Sequence, residues 1–306
     1  MPFKGKVVFA SGKTGDYDIW TLDLNTKELT QLTSGAYWND CPKWSPDGKK
    51  IVFVSNRTGS PEIWIMNEDG KEQTRITKDN RWHNTPAWAP NGKELVFCAN
   101  YDDNFDVYTM RLDGSNLKKI TDYKEADYTP QYSPDGQKIV FTSKRNGDFN
   151  IWLYDLKTEA LSQLTTYKGR DYSPTFSPDG SKIAYISGLK ESDEENLEVF
   201  LMDADGKNPR RITKNSGDDR FVSWSPDGKA LIYTSSRPNS TVERLTIYEL
   251  DKSEGKELEF KRTSVENEID AKPRAIGVFK FLPESVVRKL YPESFWGTER
   301  FPHWKY

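Results

Sequence analysis

Six polar residues stand at equivalent places of a repeated pattern in this chain, and their types suit the binding of a cation or a polar ligand. They lie six residues before a recurrent turn motif, or at the matching place near the C-terminus: Asn39, His83, Asp127, Asp171, Asp219 and Asp270. Carboxylates that converge repel one another, so a bound cation or a raised pKa would relieve them. Ca²⁺ and Mg²⁺ prefer such oxygen ligands, and the imidazole of His83 adds a transition-metal option.

The same six positions also have a structural interpretation, which we favour. An Asp at the start of a strand commonly accepts hydrogen bonds from local backbone N–H groups. It can also form an ion pair with a basic loop residue, for which Arg57, Arg145 and Arg237 are candidates. A single His is more often a hydrogen-bonded structural residue than a ligand. We therefore predict no cofactor, and a divalent cation at these positions remains the second interpretation.

Aromatic residues flank these polar positions. Trp38 and Trp82 come directly before two of them, and Tyr128 and Tyr172 come directly after two others. Such rings can stack on sugars or hold a peptide, although aromatic residues also fill cores, where each buries a large area. The predicted ligand-binding site therefore consists of the six polar positions together with these four rings.

A repeated turn motif sets the positions of all these residues. Ser45-Pro46-Asp47-Gly48 recurs four times, at spacings of 44, 44, 44 and 48 residues, with Ala-Pro-Asn-Gly in the second copy. Pro presets φ at the first corner of such a turn, and Asp-Gly or Asn-Gly tolerates positive φ at the next. The motif predicts a tight turn in every repeat.

Each repeat also contains four short runs with the composition of strands. In the first complete copy an aromatic residue, Trp44, precedes the turn, and a β-branched run at 51–54 follows it. A third run at 63–65 and a closing run that ends in Thr77 complete the unit. Four strands in about 44 residues are typical of one blade of a β-propeller.

The chain ends predict how many blades there are. Residues 4–33 supply three strands but lack a first one, whereas residues 270–279 match the first strand of the other repeats. The fold class is therefore all-β, a six-bladed propeller whose N- and C-terminal strands share one blade and so remove an exposed edge. The predicted domains are a propeller at 1–281 and an aromatic-rich tail at 282–306 that packs on it.

The repeated Pro-x-Trp-Ser-Pro-Asp-Gly-Lys, with Ile-Trp and Leu-Thr downstream, resembles the repeat of TolB-like propellers over about residues 4–281. That resemblance implies the six-bladed fold and an Asp at each of the six polar positions, from which Asn39 and His83 depart. It says less about function. The repeat occurs in periplasmic translocation proteins that bind other proteins, in the propellers of prolyl-type peptidases and in some sugar lyases.

Composition and motifs exclude several other classes of protein. The charges nearly balance, with 44 Lys and Arg against 47 Asp and Glu, so there is no net basic field to hold a nucleic acid. No apolar run approaches the ~20 residues of a membrane span. Two Cys and two His are too few for a disulfide framework or a multi-histidine metal site. Neither a Gly-x-Ser-x-Gly elbow nor a phosphate-binding Gly loop is present.

Two functional hypotheses follow. The favoured one is a non-catalytic binding protein, a monomer, that docks a peptide or protein partner at the mouth of the propeller channel. The alternative is a carbohydrate-active enzyme, a lyase or hydrolase, that uses His83 and the channel-mouth carboxylates, with or without a metal. The sequence as written predicts a cytoplasmic protein. A periplasmic or extracellular location would follow if an export signal had been removed.

Overall fold

Six four-stranded antiparallel sheets make up the molecule. A computed structural model describes residues 5–12, 16–102, 104–166, 169–189, 196–214, 217–236, 243–252, 254–257 and 273–274. Within these ranges every regular element is a strand. The all-β prediction and the count of six blades are confirmed.

The composite blade is built from both ends of the chain. Its strands, from the inside outwards, are β24 (Pro273–Arg274), β1 (Lys6–Ser11), β2 (Asp18–Asp23) and β3 (Leu29–Gln31). β24 pairs antiparallel with β1, so that Ala10 faces Arg274. The predicted closure of the ring by a C-terminal inner strand is confirmed.

The other five blades follow in chain order, each running from an inner to an outer strand. Blade 1 contains β4 (Asn39–Trp44), β5 (Lys50–Ser55), β6 (Glu62–Asn67) and β7 (Thr74–Arg75). Blade 2 contains β8 (His83–Trp88), β9 (Glu94–Ala99), β10 (Asp106–Arg111) and β11 (Lys118–Lys119). Blade 3 contains β12 (Asp127–Tyr132), β13 (Lys138–Asn146), β14 (Asp148–Asp155) and β15 (Leu161–Gln163).

Blades 4 and 5 repeat this arrangement. Blade 4 contains β16 (Gly169–Phe176), β17 (Lys182–Leu189), β18 (Asn196–Asp203) and β19 (Arg210–Arg211). Blade 5 contains β20 (Asp219–Trp224), β21 (Ala230–Ser236), β22 (Glu243–Glu249) and β23 (Glu254–Glu257). The outer strands have two to four residues, and such short edges offer little to another chain.

The recurrent turn joins the first two strands of blades 1 to 5, and in the four Ser-Pro-Asp-Gly copies side-chain hydrogen bonds hold it. In blade 1 the Ser45 hydroxyl donates to Asp47 at 2.7 Å, and it accepts from the Lys50 N–H at 2.9 Å. The φ of Gly48 is +70°, which Gly adopts without strain. Ser-Pro-Asp-Gly is therefore favoured here because each of its residues satisfies a specific need of the turn.

Buried apolar side chains fill the six interfaces between neighbouring blades. Phe221 and Leu245 of blade 5 pack against Phe9, Trp20 and Leu22 of the composite blade. The last interface is thus closed by apolar contact as well as by strand pairing. Five tryptophans that stand at repeated places within the strands also belong to these clusters: Trp44, Trp64, Trp88, Trp152 and Trp224.

Every inner strand from β4 to β20 carries a β-bulge. In β4 the pairing with β5 shifts between Asp40 and Lys43, and Cys41 has a φ of +53°. The bulge explains how Pro42 can lie inside a strand, because Pro removes a ladder hydrogen bond. Four other residues share the left-handed conformation at this position: Thr85, Thr129, Ser173 and Phe221.

Candidate functional site

The described polar positions lie where the inner strands begin, on one face of the propeller, which we call the mouth face. Backbone hydrogen bonds fix them: the N–H of Asn39 donates to Tyr17, that of His83 to Pro61, and that of Asp127 to Phe105, at 2.7 to 3.0 Å. Each acceptor precedes the third strand of the preceding blade. All five side chains are at most 2% exposed: Asn39, His83, Asp127, Asp171 and Asp219.

Asp127 forms a buried ion pair with Arg145. The guanidinium Nη2 lies 2.8 Å and 3.1 Å from the two carboxylate oxygens, and its Nε donates to the Ser143 hydroxyl at 2.8 Å. Three rings surround the guanidinium within 5.3 Å: Tyr123, Phe141 and Trp152. Burial raises the pKa of Asp127, while a hydrogen bond from Ser143 and the charge of Arg145 oppose that rise. Asp127 therefore has the structural role that the sequence predicted, an ion pair with a basic loop residue.

Blade 1 has the same geometry with a neutral partner. Arg57 donates to the Asn39 amide oxygen at 2.9 Å and to the Ser55 hydroxyl at 2.9 Å. Its guanidinium lies 4.5 Å from the Trp64 ring centroid and 4.8 Å from that of Tyr37. Burial lowers the pKa of Arg57. The predicted partnership with a basic loop residue is thus confirmed in two blades, whereas Arg237 lies outside the described residues.

Blade 2 replaces both members of this pair. His83 Nε2 lies 3.0 Å from the Tyr101 hydroxyl, and Nδ1 lies 3.1 Å from the Arg81 carbonyl. Because a carbonyl only accepts, Nδ1 donates to Arg81. The Asp79 carboxylate lies 3.5 Å from Nε2. Burial would raise the pKa of Asp79, but its hydrogen bonds with His83 and with the Arg81 backbone hold that pKa below its usual 3.8. Tyr101 stands 18 residues after His83, as Arg57 stands after Asn39 and Arg145 after Asp127. Alignment of the repeats would have revealed this paired replacement from the sequence.

The remaining polar positions differ in their partners. Asp171 has Ser187 and Thr165 as hydrogen-bond partners, and burial raises the pKa of its carboxyl against their influence. Asp219 is fully buried at the start of β20. Asp270, like the predicted tail at 282–306, lies outside the described residues. Among the residues that the structure describes, no three His, Cys, Asp or Glu side chains come together in a group that could hold a metal ion.

Five rings form a continuous arc along the mouth face from blade 2 to blade 4. Neighbouring ring centroids are 5.6 to 6.4 Å apart, in the order Trp82, Phe105, Tyr128, Phe149 and Tyr172. Phe105 is 7% exposed and the other four are partly exposed. The Lys144 ammonium lies 6.0 Å from the Phe149 ring. We call these five residues the aromatic arc.

The arc contains three of the four predicted rings and adds two that sequence reasoning missed. Trp38 stands apart, since it is 7% exposed and belongs to the cluster between the composite blade and blade 1. Phe105 directly precedes the third strand of blade 2, Phe149 is the second residue of the third strand of blade 3, and the two are 44 residues apart. This spacing equals that of the turn motif, so the repeat itself was the signal that could have identified them.

Comparison with known proteins agrees with this architecture. The family model described as the TolB beta propeller domain matches residues 2–97 and 81–152. The model of the Tricorn protease N-terminal beta propeller domain matches residues 146–278. No curated protein gives a significant match.

Solved structures give the same result. TolB from Acinetobacter baumannii is 27% identical, with a TM-score of 0.72, and the alignment covers 83% of this chain and 63% of that one. A structure assigned as TolB from Agrobacterium tumefaciens is 20% identical, with a TM-score of 0.70 and coverages of 82% and 88%. An oligogalacturonate lyase from Vibrio parahaemolyticus shares the fold at 17% identity, with a TM-score of 0.54 and coverages of 83% and 72%.

Fold, repeat and family models converge on one assignment. The chain belongs to the TolB-like six-bladed β-propellers. It spans 63% of the length of the Acinetobacter protein. No helix within the described ranges is long and apolar enough to cross a membrane.

Proposed function

We propose that this propeller is a binding protein that docks an extended peptide segment of a protein partner on its mouth face. The aromatic arc carries the proposal. It offers partly exposed rings from three consecutive blades beside the place where the inner strands begin. Aromatic side chains supply large contact areas at low entropic cost and are enriched among the residues that dominate binding energy.

The spacing of the rings fits an extended chain. A strand rises about 3.3 Å per residue, so its alternate side chains lie about 6.6 Å apart on one face. The steps between rings of the arc, 5.6 to 6.4 Å, are close to this repeat. A peptide that follows the arc would place one side chain near each gap between rings.

The buried polar positions support this proposal over a catalytic one. Asp127 is paired with Arg145, and Asn39 is hydrogen-bonded to Arg57. His83, the proposed acid or ligand in the carbohydrate hypothesis, has both ring nitrogens in hydrogen bonds within the fold. These contacts give the polar positions a structural role. The predicted monomer and the predicted cytoplasmic location remain predictions.

Selection from a displayed library of extended peptides tests the proposal. We expect Trp82→Ala, Tyr128→Ala and Tyr172→Ala each to weaken the selected peptide by about 2 kcal/mol, roughly 30-fold, as binding hot spots do. Leu117→Ala and Leu161→Ala are matched controls, since both side chains are exposed, at 46% and 39%, near the outer strands. Affinities unchanged by the arc variants, measured by calorimetry on folded protein, would reject the arc as the docking site.

The carbohydrate hypothesis predicts a different result, which a turnover assay measures. Rings of this kind also stack on sugars, and the Vibrio parahaemolyticus lyase shares the fold. Turnover of oligogalacturonides with added Mn²⁺, lost in His83→Gln and retained in Leu117→Ala, would favour the enzyme and overturn the non-catalytic proposal.

A further inference from the structure

A lysine faces the central channel of the propeller. Lys43 lies on β4, two residues after the bulge at Cys41, and lines a cavity of about 40 Å³ between the inner strands of blades 1 to 5. A buried water needs roughly 10–15 Å³ of such volume, so the cavity has room for about three waters or one small ion. The site lies within the channel, apart from the aromatic arc.

No acidic residue occupies the place equivalent to Lys43 in the inner strands of blades 2 to 5. The Lys43 ammonium forms no hydrogen bond or ion pair with any residue that the structure describes, while its backbone carbonyl accepts from the Trp88 indole N–H at 3.1 Å. The residues at the matching place of the next four inner strands are all uncharged: Ala87, Gln131, Thr175 and Ser223.

Gln131 supplies a second donor to the same cavity. Its side-chain oxygen accepts from the Phe176 backbone N–H at 2.9 Å, which fixes the amide so that its nitrogen is the remaining polar end. That NH₂ group donates to no residue in the described part of the chain. Because an ammonium and an amide NH₂ can only donate, an acceptor is the group that both lack.

The Lys43 side chain is half-buried, and the burial lowers the pKa of its ammonium to about 8 because no counter-ion offsets the lost hydration. The Cys41 side chain opposes that shift electrostatically. An anion in the cavity would restore the lost interactions of the ammonium. The volume limits it to a few heavy atoms.

We propose that the channel binds one small monovalent anion, of halide or formate size, between the Lys43 ammonium and the Gln131 amide. This site is independent of peptide docking on the mouth face. The proposed ligand is negatively charged, whereas the divalent cation considered for the carboxylates at the mouth is positively charged.

Bromide is the probe, because its anomalous scattering locates it in a crystal. We expect a bromide peak within hydrogen-bond distance of Lys43 Nζ, and a saturable rise in the melting temperature of the wild-type protein with bromide or formate. Lys43→Met should lose that saturable component. Lys118→Met, the same change at a lysine whose side chain is 53% exposed, should keep it.

A second variant keeps the proposal testable if Lys43→Met does not fold. Gln131→Glu retains the oxygen that accepts from Phe176 and adds a carboxylate that should replace the anion beside Lys43. We expect this variant to melt at the same temperature with and without bromide. An equal response in wild type and Gln131→Glu, or crystals soaked in bromide with no peak in the channel, would overturn the proposal.

Discussion

Blades 2 and 3 solve one structural problem in two ways. At the start of its inner strand, blade 3 buries the Asp127–Arg145 ion pair, whereas blade 2 buries His83 against the Tyr101 hydroxyl, with the exposed Asp79 carboxylate 3.5 Å from Nε2. The turns of the two blades also differ at two residues together. Ser133 donates to Asp135 at 2.5 Å in blade 3, while blade 2 has Ala89 and Asn91 at these places. The two blades nevertheless share one fold. The comparison teaches that the repeat fixes where a polar pair must form and leaves its chemistry free, provided both partners change together.

The largest expected effect is in blade 3. Asp127→Ala leaves the Arg145 guanidinium buried without its counter-charge, and such losses cost about 3–5 kcal/mol of unfolding free energy. His83→Ala in blade 2 removes a partner from the Tyr101 hydroxyl and from the Asp79 carboxylate, which is 39% exposed and so stays solvated. We therefore expect a smaller loss, about 1–3 kcal/mol. Urea unfolding of both variants measures the difference. Equal losses would mean that the charge of the pair contributes nothing.

The next test transfers the ion pair from blade 3 to blade 2. His83→Asp alone buries a carboxylate opposite a phenol and near the Asp79 carboxylate, which we expect to cost about 3 kcal/mol. Adding Tyr101→Arg should recover most of that loss, with a coupling energy of about 0.5–3 kcal/mol in a double-mutant cycle. If the double variant is as unstable as the sum of the single ones, the two pairs are not interchangeable.

The turns give a smaller effect of opposite sign in the two blades. Ala89→Ser together with Asn91→Asp installs the blade 3 hydrogen bond in blade 2, and we expect a gain of about 0.5–1.5 kcal/mol. Ser133→Ala should lose a similar amount. The same urea titrations measure both changes. If the blade 2 variant gains no stability and the blade 3 variant loses none, the side-chain hydrogen bonds are not the source of turn stability.

The smallest expected effect is on the pH dependence of stability in the acid range. The hydrogen bond from Ser133 and that from the Gln137 N–H hold the pKa of Asp135 below its usual 3.8. Its contribution to stability is therefore complete above about pH 3.8 and is lost as the pH falls through the lower folded-state pKa. Asp135→Asn should melt with a flatter pH dependence than wild type in that acid range only. Asn91 already has the non-titrating side chain in blade 2, so Asn91→Gln is the control that leaves the pH profile unchanged.

Much of the fold could be predicted from residues close together in the chain. The turn motif, its spacing and the missing first strand at residues 4–33 predicted six blades and their closure, and β24 beside β1 confirms it. The predicted site was harder. Tyr128 and Tyr172 lie in the aromatic arc, but Trp38 packs in the core and the polar side chains are buried.

The site was harder to predict because one residue type can have different roles, depending on which side chains lie next to it in the folded protein. An Asp before a strand has one sequence pattern whether it binds a ligand or an arginine. What distinguishes them is the side chain that approaches from the adjacent loop, 18 residues later in the case of Arg145.

The number of blades, the turns and the composite blade follow from local turn chemistry and from a pattern repeated about every 44 residues, so they can be read from the chain alone. Which rings join into an arc and which donors share the channel depends on contacts between blades. Trp82 and Tyr172 belong to different blades, as do Lys43 and Gln131, and the repeat does not specify how blades meet. Their juxtaposition depends on how the inner strands pack around the channel, and long-range packing of that kind has no local signature in the chain.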